Sequence, residues 1–205
     1  RGRIVLTHRH QEILHYAGGM FRYFLERAGI RVTGCIRPGR MPSTHGGGVQ
    51  RLLSPYTLPQ VLSRLLEYSN NFMANQIFLA CGAHRSGAPA TLEKGVTALY
   101  AVLGDVAAKP SLTCVEGSGI SRGNRTSAAA MLDVLMAFRP YHGLLREDGG
   151  DYYKTGHLKG IRTRAGYLVG EGEGEGLFPY AIMRAGDHSD TQQVLKRLRV
   201  LSRDR

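Results

Sequence analysis

Apolar residues recur through the first two thirds of this chain at helical spacing and alternate only near its C-terminal end. Over residues 16–28, Met20, Phe21, Phe24 and Leu25 form one helical stripe. Gly29 reads as its stop, and residues 30–36 as a strand. Upstream, Ile4, Val5 and Leu6 suit a short strand, and residues 8–15 a turn or helix start. The stretch 38–48, rich in Gly, Pro, Ser and Thr, reads as a linker or long surface loop. A second helix starts near Thr57, with Pro59 in the first turn, where its missing N–H costs nothing. Leu58, Val61, Leu62, Leu65 and Leu66 are its apolar stripe. The pattern pauses at Ser69-Asn70-Asn71 and resumes with Phe72, Met73, Ile77 and Phe78, so two helices meet at a polar corner.

Further helices are predicted over 92–103 and 127–138, with a short strand over 112–115 leading into Glu116-Gly117-Ser118-Gly119. Then the period changes. Residues 152–155, 163–169 and 178–184 read as three strands, and 191–201 as a basic amphipathic helix packed on their sheet. The alternating Gly and Glu of 170–176 make a solvated hairpin loop, since carboxylates without fixed geometry are poor metal ligands. Helices, then antiparallel strands, then a covering helix predict an α+β fold: a helical lobe packed on an antiparallel sheet.

Composition narrows the function classes. The 27 Lys and Arg against 16 Asp and Glu give a net charge of +11, and only five of the basic residues are lysines. The arginines are dispersed from Arg1 to Arg205 without a block, so no nucleic-acid footprint is indicated, although a basic surface suits an anionic polymer. Cys35, Cys81 and Cys114 form no C-x-x-C pair and read as small buried hydrophobes. No apolar run reaches the roughly 18–20 residues of a membrane span. The chain opens Arg1-Gly2-Arg3 without Met or signal peptide, which reads as an internal or processed boundary. No cofactor or metal site is expected.

Two short motifs carry candidate chemistry. Ser69-Asn70-Asn71 sits at the helix corner, where Ser69 either caps the second helix or belongs to a reactive site. Lys154-Thr155-Gly156 lies on a predicted strand. In this order, Ser-x-Asn on helices and Lys-Thr-Gly on a later strand are two of the three motifs that mark serine-acylating β-lactam-interacting enzymes. They need a cleft between a helical lobe and a sheet.

The resemblance extends further. Glu116-Gly117-Ser118-Gly119-Ile120-Ser121-Arg122-x-Asn124 resembles the Asp-Gly-Ser-Gly-Leu-Ser-Arg-x-Asn segment of class C low-molecular-mass penicillin-binding proteins, the D-alanyl-D-alanine carboxypeptidases and endopeptidases of the cell wall. Lys154 to Gly160, with Ala165-Gly166-Tyr167, is similar to their Lys-Thr-Gly-Thr-Leu-x-Gly and Ala-Gly-Tyr pattern, and residues 26–30 also look like theirs. The resemblance implies a β-lactamase/transpeptidase-like fold, incomplete at its N-terminus. Residues 1–50 would be the end of an inserted domain and a linker, and 51–205 the C-terminal part of the peptidase domain. It implies acyl transfer through a serine ester. Ser69 would relay a proton, Lys154 would favour that exchange and attract a carboxylate, and Asn71, Thr155, Gly156 and His157 would bind substrate. Residues 116–124 would be scaffold, with Arg122 their one member able to reach the cleft. The implied partners are peptidoglycan stem peptides ending in D-Ala-D-Ala and β-lactams, in a periplasmic or extracytoplasmic setting. Self-association of this stretch of chain is also plausible through exposed apolar surface.

Several features depart from that pattern. The residues three before the five lysines are Thr91, Val106, Asp151, Gly156 and Gln193, so no Ser-x-x-Lys nucleophile motif is present. Thr91 reads as a helix cap. The motif is expected upstream of Arg1, the alternative being a homologue that has lost it, and these residues alone are expected to be inactive in acyl transfer. Asn70 replaces a frequent Asp, which should matter little if its side chain points away, and His157 replaces a small hydroxyl residue. A non-catalytic peptidoglycan-binding module and a basic polyanion-binding domain are the alternative functions.

Overall fold

The computed structural model describes residues 9–39, 53–106, 111–170, 176–186 and 191–203. The chain divides into two compact units, Arg1–Leu53 and Ser54–Arg205. In the first, helix α1 (His10–Arg27) carries the predicted stripe but starts six residues earlier than the apolar pattern does. It ends at Gly29, whose φ of +82° only glycine adopts at no steric cost. Residues 30–36 form no regular element, with a bend at Gly34, and join no ladder among the described residues, so the expected strand is absent: a strand-like pattern does not make a strand without a partner edge. The expected strand at Ile4–Leu6 and most of the expected linker over 38–48 lie outside the described residues.

The second unit begins with α2 (Leu58–Tyr68), opened by a capping box in which Thr57 and Gln60 satisfy each other's backbone N–H groups. Helices α3 (Asn71–Ser86) and α4 (Leu92–Leu103) pack closely. They can do so because a Cβ on Gly82 would lie 2.5 Å from the Gly95 nitrogen. Strands β1 (Leu112–Thr113) and β2 (Arg125–Thr126) pair antiparallel and close the base of the 116–124 loop. Helix α5 (Ala128–Phe138) and a 3-10 turn (Arg139–Leu144) lead into the main sheet.

That sheet is antiparallel in the order β3 (Arg146–Glu147), β4 (Asp151–Leu158), β5 (Ile161–Val169) and β6 (Leu177–Ala185). The three long strands occur where alternation predicts them; two-residue β2 and β3 are too short to leave a period. Gly170 and Gly176 close the β5–β6 connection with a 2.9 Å bond, and residues 171–175 lie outside the described set.

Strand alternation gives the sheet two unlike faces. On one, Leu168, Tyr180 and Ile182 bury against Leu195 of α6 (Thr191–Arg203), flanked by Tyr153, Phe178, Val194 and Leu198. The fully buried Asp151 carboxylate lies on this side, 2.6 Å from the Arg164 guanidinium and 2.8 Å from the Tyr180 hydroxyl. A charge in such a position must be paired and hydrogen-bonded. The other face meets α5, where the buried Tyr167 hydroxyl donates to the Leu135 carbonyl at 2.5 Å. Gly166 lets β4 and β5 approach, because a Cβ there would run into the Tyr152 carbonyl. The unit is therefore the α+β arrangement of helices and an antiparallel sheet.

The cysteines depart from expectation. Cys35 and Cys81 are exposed and only Cys114 is half-buried, all three as free thiols. Cys81 falls on the solvent side of α3, and Cys35 in the irregular segment after α1. Burial pushes the Cys114 thiol up, away from thiolate reactivity.

Candidate active site

The corner between α2 and α3 is built from three small polar residues with separate tasks. Ser69 ends α2 in the left-handed conformation, φ 51° and ψ 52°, and is the one non-glycine residue with positive φ among those described. That conformation crowds a Cβ against the backbone and is usually left to glycine. Asn70 caps α3, its Oδ1 accepting the Met73 N–H at 3.0 Å. The capping task considered for Ser69 thus belongs to Asn70, and an Asp–Asn exchange there preserves an acceptor oxygen. Asn71 is the first helical residue of α3, half-buried, and no hydrogen bond engages its side-chain amide among the described residues.

The Lys154 ammonium donates to the Ser69 hydroxyl from β4, 85 positions along the chain. It also donates to the Thr155 carbonyl at 2.7 Å. The structure therefore brings together the two motifs that the sequence separates. Burial holds the Lys154 pKa below the ordinary lysine range, because losing water disfavours the ammonium form. Its free amine is accordingly more accessible than in an exposed lysine.

Thr155, Gly156 and His157 are exposed on the continuation of β4. Strand β3 pairs only with Tyr152 and Tyr153, so the outer edge of β4 from Lys154 to Leu158 carries no strand among the described residues. Gly156 stands opposite Thr163, whose Oγ1 would have to turn aside for a Cβ, and its bare backbone leaves the strand open to an approaching ligand. His157 alternates to the face opposite Lys154. There Arg162, which can only donate, meets its Nδ1 at 3.0 Å, placing the imidazole proton on Nε2.

Thr91, the nearest approach to a Ser-x-x-Lys nucleophile, is a cap: its Oγ1 accepts the Lys94 N–H at 3.3 Å. The Lys94 ammonium turns away to the carbonyls of Gly87 and Pro89, at 2.8 and 2.9 Å. Hydroxyl and amine are not set against each other.

Beside the corner lies the 116–124 loop, closed on itself. The buried Glu116 carboxylate accepts from the Ser118 N–H at 2.8 Å, the Ser118 hydroxyl at 2.5 Å, the Ser121 N–H at 3.2 Å and the Asn124 amide at 2.5 Å. Burial by itself would raise its pKa, but the hydrogen bonds from Ser118, Ser121 and Asn75 outweigh that and hold it at about 2. Gly117 donates to Asn75 of α3 at 2.8 Å, and Arg122 donates to the Lys159 carbonyl in the β4–β5 turn at 2.8 Å. Asn75 escaped the sequence reading; its position one helical turn after Asn71, on the same face of α3, was the available signal. Among the described residues no cluster of His, Cys, Asp or Glu could hold a metal ion, and no helix is long and apolar enough to cross a membrane.

Comparison with known proteins places the chain in a family and a fold. The chain is 28% identical over 123 residues to the D-alanyl-D-alanine carboxypeptidase of Actinomadura sp. (strain R39), a match covering 58% of this chain and 22% of that protein. Its structure resembles penicillin binding protein 4 (dacB) from Haemophilus influenzae, solved in complex with a β-lactam, with a TM-score of 0.71 at 22% identity. That superposition covers 91% of this chain and 49% of the other. A predatory endopeptidase from Bdellovibrio bacteriovorus, solved with an immunity protein, matches with a TM-score of 0.53 at 16% identity, covering 91% and 56% of the two chains. The chain thus spans about a fifth of the curated relative and about half of the solved ones. Residues 3–143, which include the Ser69 corner and the 116–124 loop and stop short of Lys154, match the D-Ala-D-Ala carboxypeptidase 3 (S13) family, and the chain belongs to that family.

Proposed function

We propose that these residues form two walls of the cleft of a serine-type D-alanyl-D-alanine carboxypeptidase or endopeptidase, acting outside the cytoplasm on peptidoglycan stem peptides. The contact of Lys154 with Ser69 carries the proposal. A serine held in left-handed backbone, with its hydroxyl turned to a lysine from the facing strand, has a purpose that helix termination does not supply.

Acyl transfer needs a serine oxygen to bond to the penultimate D-Ala carbonyl carbon while the C–N bond to the terminal D-Ala breaks. The proton lost by the serine must reach the leaving amine. Ser69 can pass it, accepting on one side and donating on the other, with the Lys154 charge favouring the exchange. The unengaged Asn71 amide is free to donate to a substrate carbonyl. Thr155 and Lys154 offer donors for the terminal carboxylate. The open edge of β4 suits a substrate backbone added as a further strand, with Gly156 leaving room for it. His157, its ring on the face of β4 opposite Lys154, would meet substrate only where the peptide crosses the strand edge.

The attacking serine is not supplied by a Ser-x-x-Lys within these 205 residues. The proposal therefore places it on a longer polypeptide that includes them. Intact mass after incubation with penicillin tests both parts. The polypeptide carrying Ser-x-x-Lys should gain one covalent penicillin, and residues 1–205 alone none. An adduct on residues 1–205 would reveal a nucleophile among them, and no adduct on the longer polypeptide would end the peptidase reading.

A further inference from the structure

The 116–124 loop touches both walls of the cleft, and its construction is that of a stiff part. Its base is closed by the β1–β2 ladder, and Val115 donates to the Asn124 side chain across it at 2.8 Å. Its centre is the Glu116 carboxylate, with four donors from the loop itself. One end is seated on α3: Gly117 bonds Asn75, and a Cβ at Gly117 would lie 2.6 Å from the Phe78 Cβ and 3.0 Å from the Ala74 carbonyl. Asn71, on the same helix, shares that footing. The other end reaches the tip of the β4–β5 hairpin, where the Arg122 guanidinium holds the Lys159 carbonyl.

Strand β4 needs such a hold. It is paired along its whole length on one side only, and β3 supports its other edge at Tyr152 and Tyr153 alone. From Lys154 onward the strand approaches a two-residue turn at Lys159 and Gly160. The β5 side of the tip is tied to β6 by the Ile161–Ala185 pairing and by the Gly186 N–H donating to the Gly160 carbonyl at 2.9 Å, so Arg122 braces the outer, β4 side, where a shift would move Thr155 and Gly156 relative to Asn71.

We propose that the 116–124 loop is a strut that sets the distance between the two walls, with Arg122 as the positioning residue at its far end. Arg122 acts through the Lys159 carbonyl and not on substrate. The inference deepens the peptidase reading, but its structural half stands without it.

Two measurements test it. In the 205-residue chain, amide hydrogen exchange over 156–163 should be roughly tenfold faster in Arg122→Met, the scale of one lost charge-assisted bond in a local opening. Exchange over 177–185 should stay unchanged, and Arg122→Lys, which keeps a cationic donor, should restore most of the protection. Asn75→Ala should loosen the other end, with faster exchange over 116–118 and an intact hairpin root. Unchanged exchange at the tip in Arg122→Met overturns the strut. Uniformly faster exchange throughout the chain in both variants overturns it too, because the loop would then be general scaffold.

In the polypeptide that carries the nucleophile, Arg122→Met should slow acylation about tenfold, alike for β-lactams with neutral and with anionic side chains, and Arg122→Lys should recover it. A loss confined to the anionic β-lactam would make Arg122 a ligand contact and overturn its positioning role. A wild-type protein that is not acylated would remove the peptidase reading and leave the exchange result to decide the strut.

Discussion

Two short polar segments stand side by side in the second unit, and they treat their side chains in opposite ways. In the 116–124 loop Glu116, Ser118, Ser121 and Asn124 spend their hydrogen-bonding capacity on one another and on nearby backbone. At the 69–71 corner only Asn70 is consumed locally, as a cap. The Ser69 hydroxyl is turned to the facing strand and the Asn71 amide engages none of the described residues. Composition does not separate the segments; both are small, polar and at helix or strand ends. Saturation does. A self-satisfied segment holds a shape, and one with spare donors and acceptors beside a half-buried lysine is equipped to meet a ligand.

If the contrast is right, the corner and its lysine should affect chemistry and the loop should affect stability. The largest expected effect is that of Lys154→Ala, which should slow penicillin acylation of the nucleophile-bearing polypeptide on the order of 10²- to 10⁴-fold. Its melting temperature should move little, because the lysine is only half-buried and its partners are a hydroxyl and a carbonyl. An acylation rate within twofold of wild type, followed with a fluorescent penicillin, would take Lys154 out of the mechanism. Because burial lowers the Lys154 pKa, the loss of its charge, and with it the fall in acylation rate, should set in at a pH below the ordinary lysine range.

Glu116→Gln should do the reverse in scale and kind. The fall of the carboxyl from 4.5 to about 2 corresponds to roughly 3 kcal/mol of folding free energy. A depressed carboxyl pKa stabilises the fold above its unfolded value and ceases to do so as pH falls through the folded one. Wild-type stability should therefore hold at pH 5 and above and decline between about 4.5 and about 2. The Gln variant should be less stable at neutral pH by a similar amount and show a flatter decline over that window, as read by denaturant unfolding at several pH values. Equal stability of the two proteins at pH 7 would show that the loop's saturation is not what holds it.

Asn70→Ala tests the one consumed residue of the corner. Loss of an N-cap costs about 1 kcal/mol, and thermal unfolding should show that loss. Asn70→Asp should match or exceed wild type, since a carboxylate also accepts the Met73 N–H and carries a charge favourable at a helix N-terminus.

How much of this could be read beforehand differs between the two segments for a physical reason. The helices over 92–103 and 127–138 and the three long strands follow from side-chain periodicity, which is a local property. The Ser69 and Lys154 motifs were visible, and so was their need to meet. The strand expected over 30–36 failed because pairing depends on a neighbour that its own pattern does not describe. Asn75, Arg164 and Tyr180 were missed on the same ground: each earns its place through a bond to a residue 13 to 42 positions away. The division of labour among Ser69, Asn70 and Asn71 was hidden as well, since all three suit a cap and only backbone angles show which one is the cap.

Those angles lead to the smallest and most diagnostic prediction. At φ 51° the Ser69 Cβ is crowded by its own backbone, an expense of roughly 1 kcal/mol that glycine avoids. Ser69→Gly should therefore raise stability by about 0.5 to 1 kcal/mol, or a few degrees in Tm, even with the greater freedom of glycine in the unfolded chain. Ser69→Ala keeps the crowding, loses only the hydroxyl and should leave Tm nearly unchanged. Both should lose acylation alike in the nucleophile-bearing polypeptide. A substitution that stabilises the fold while removing the chemistry is expected where a strained residue is kept for its side chain. If Ser69→Gly instead lowers Tm, the hydroxyl is holding Lys154 and β4 in place for structural reasons, and the corner differs from the 116–124 loop only in how many bonds it makes.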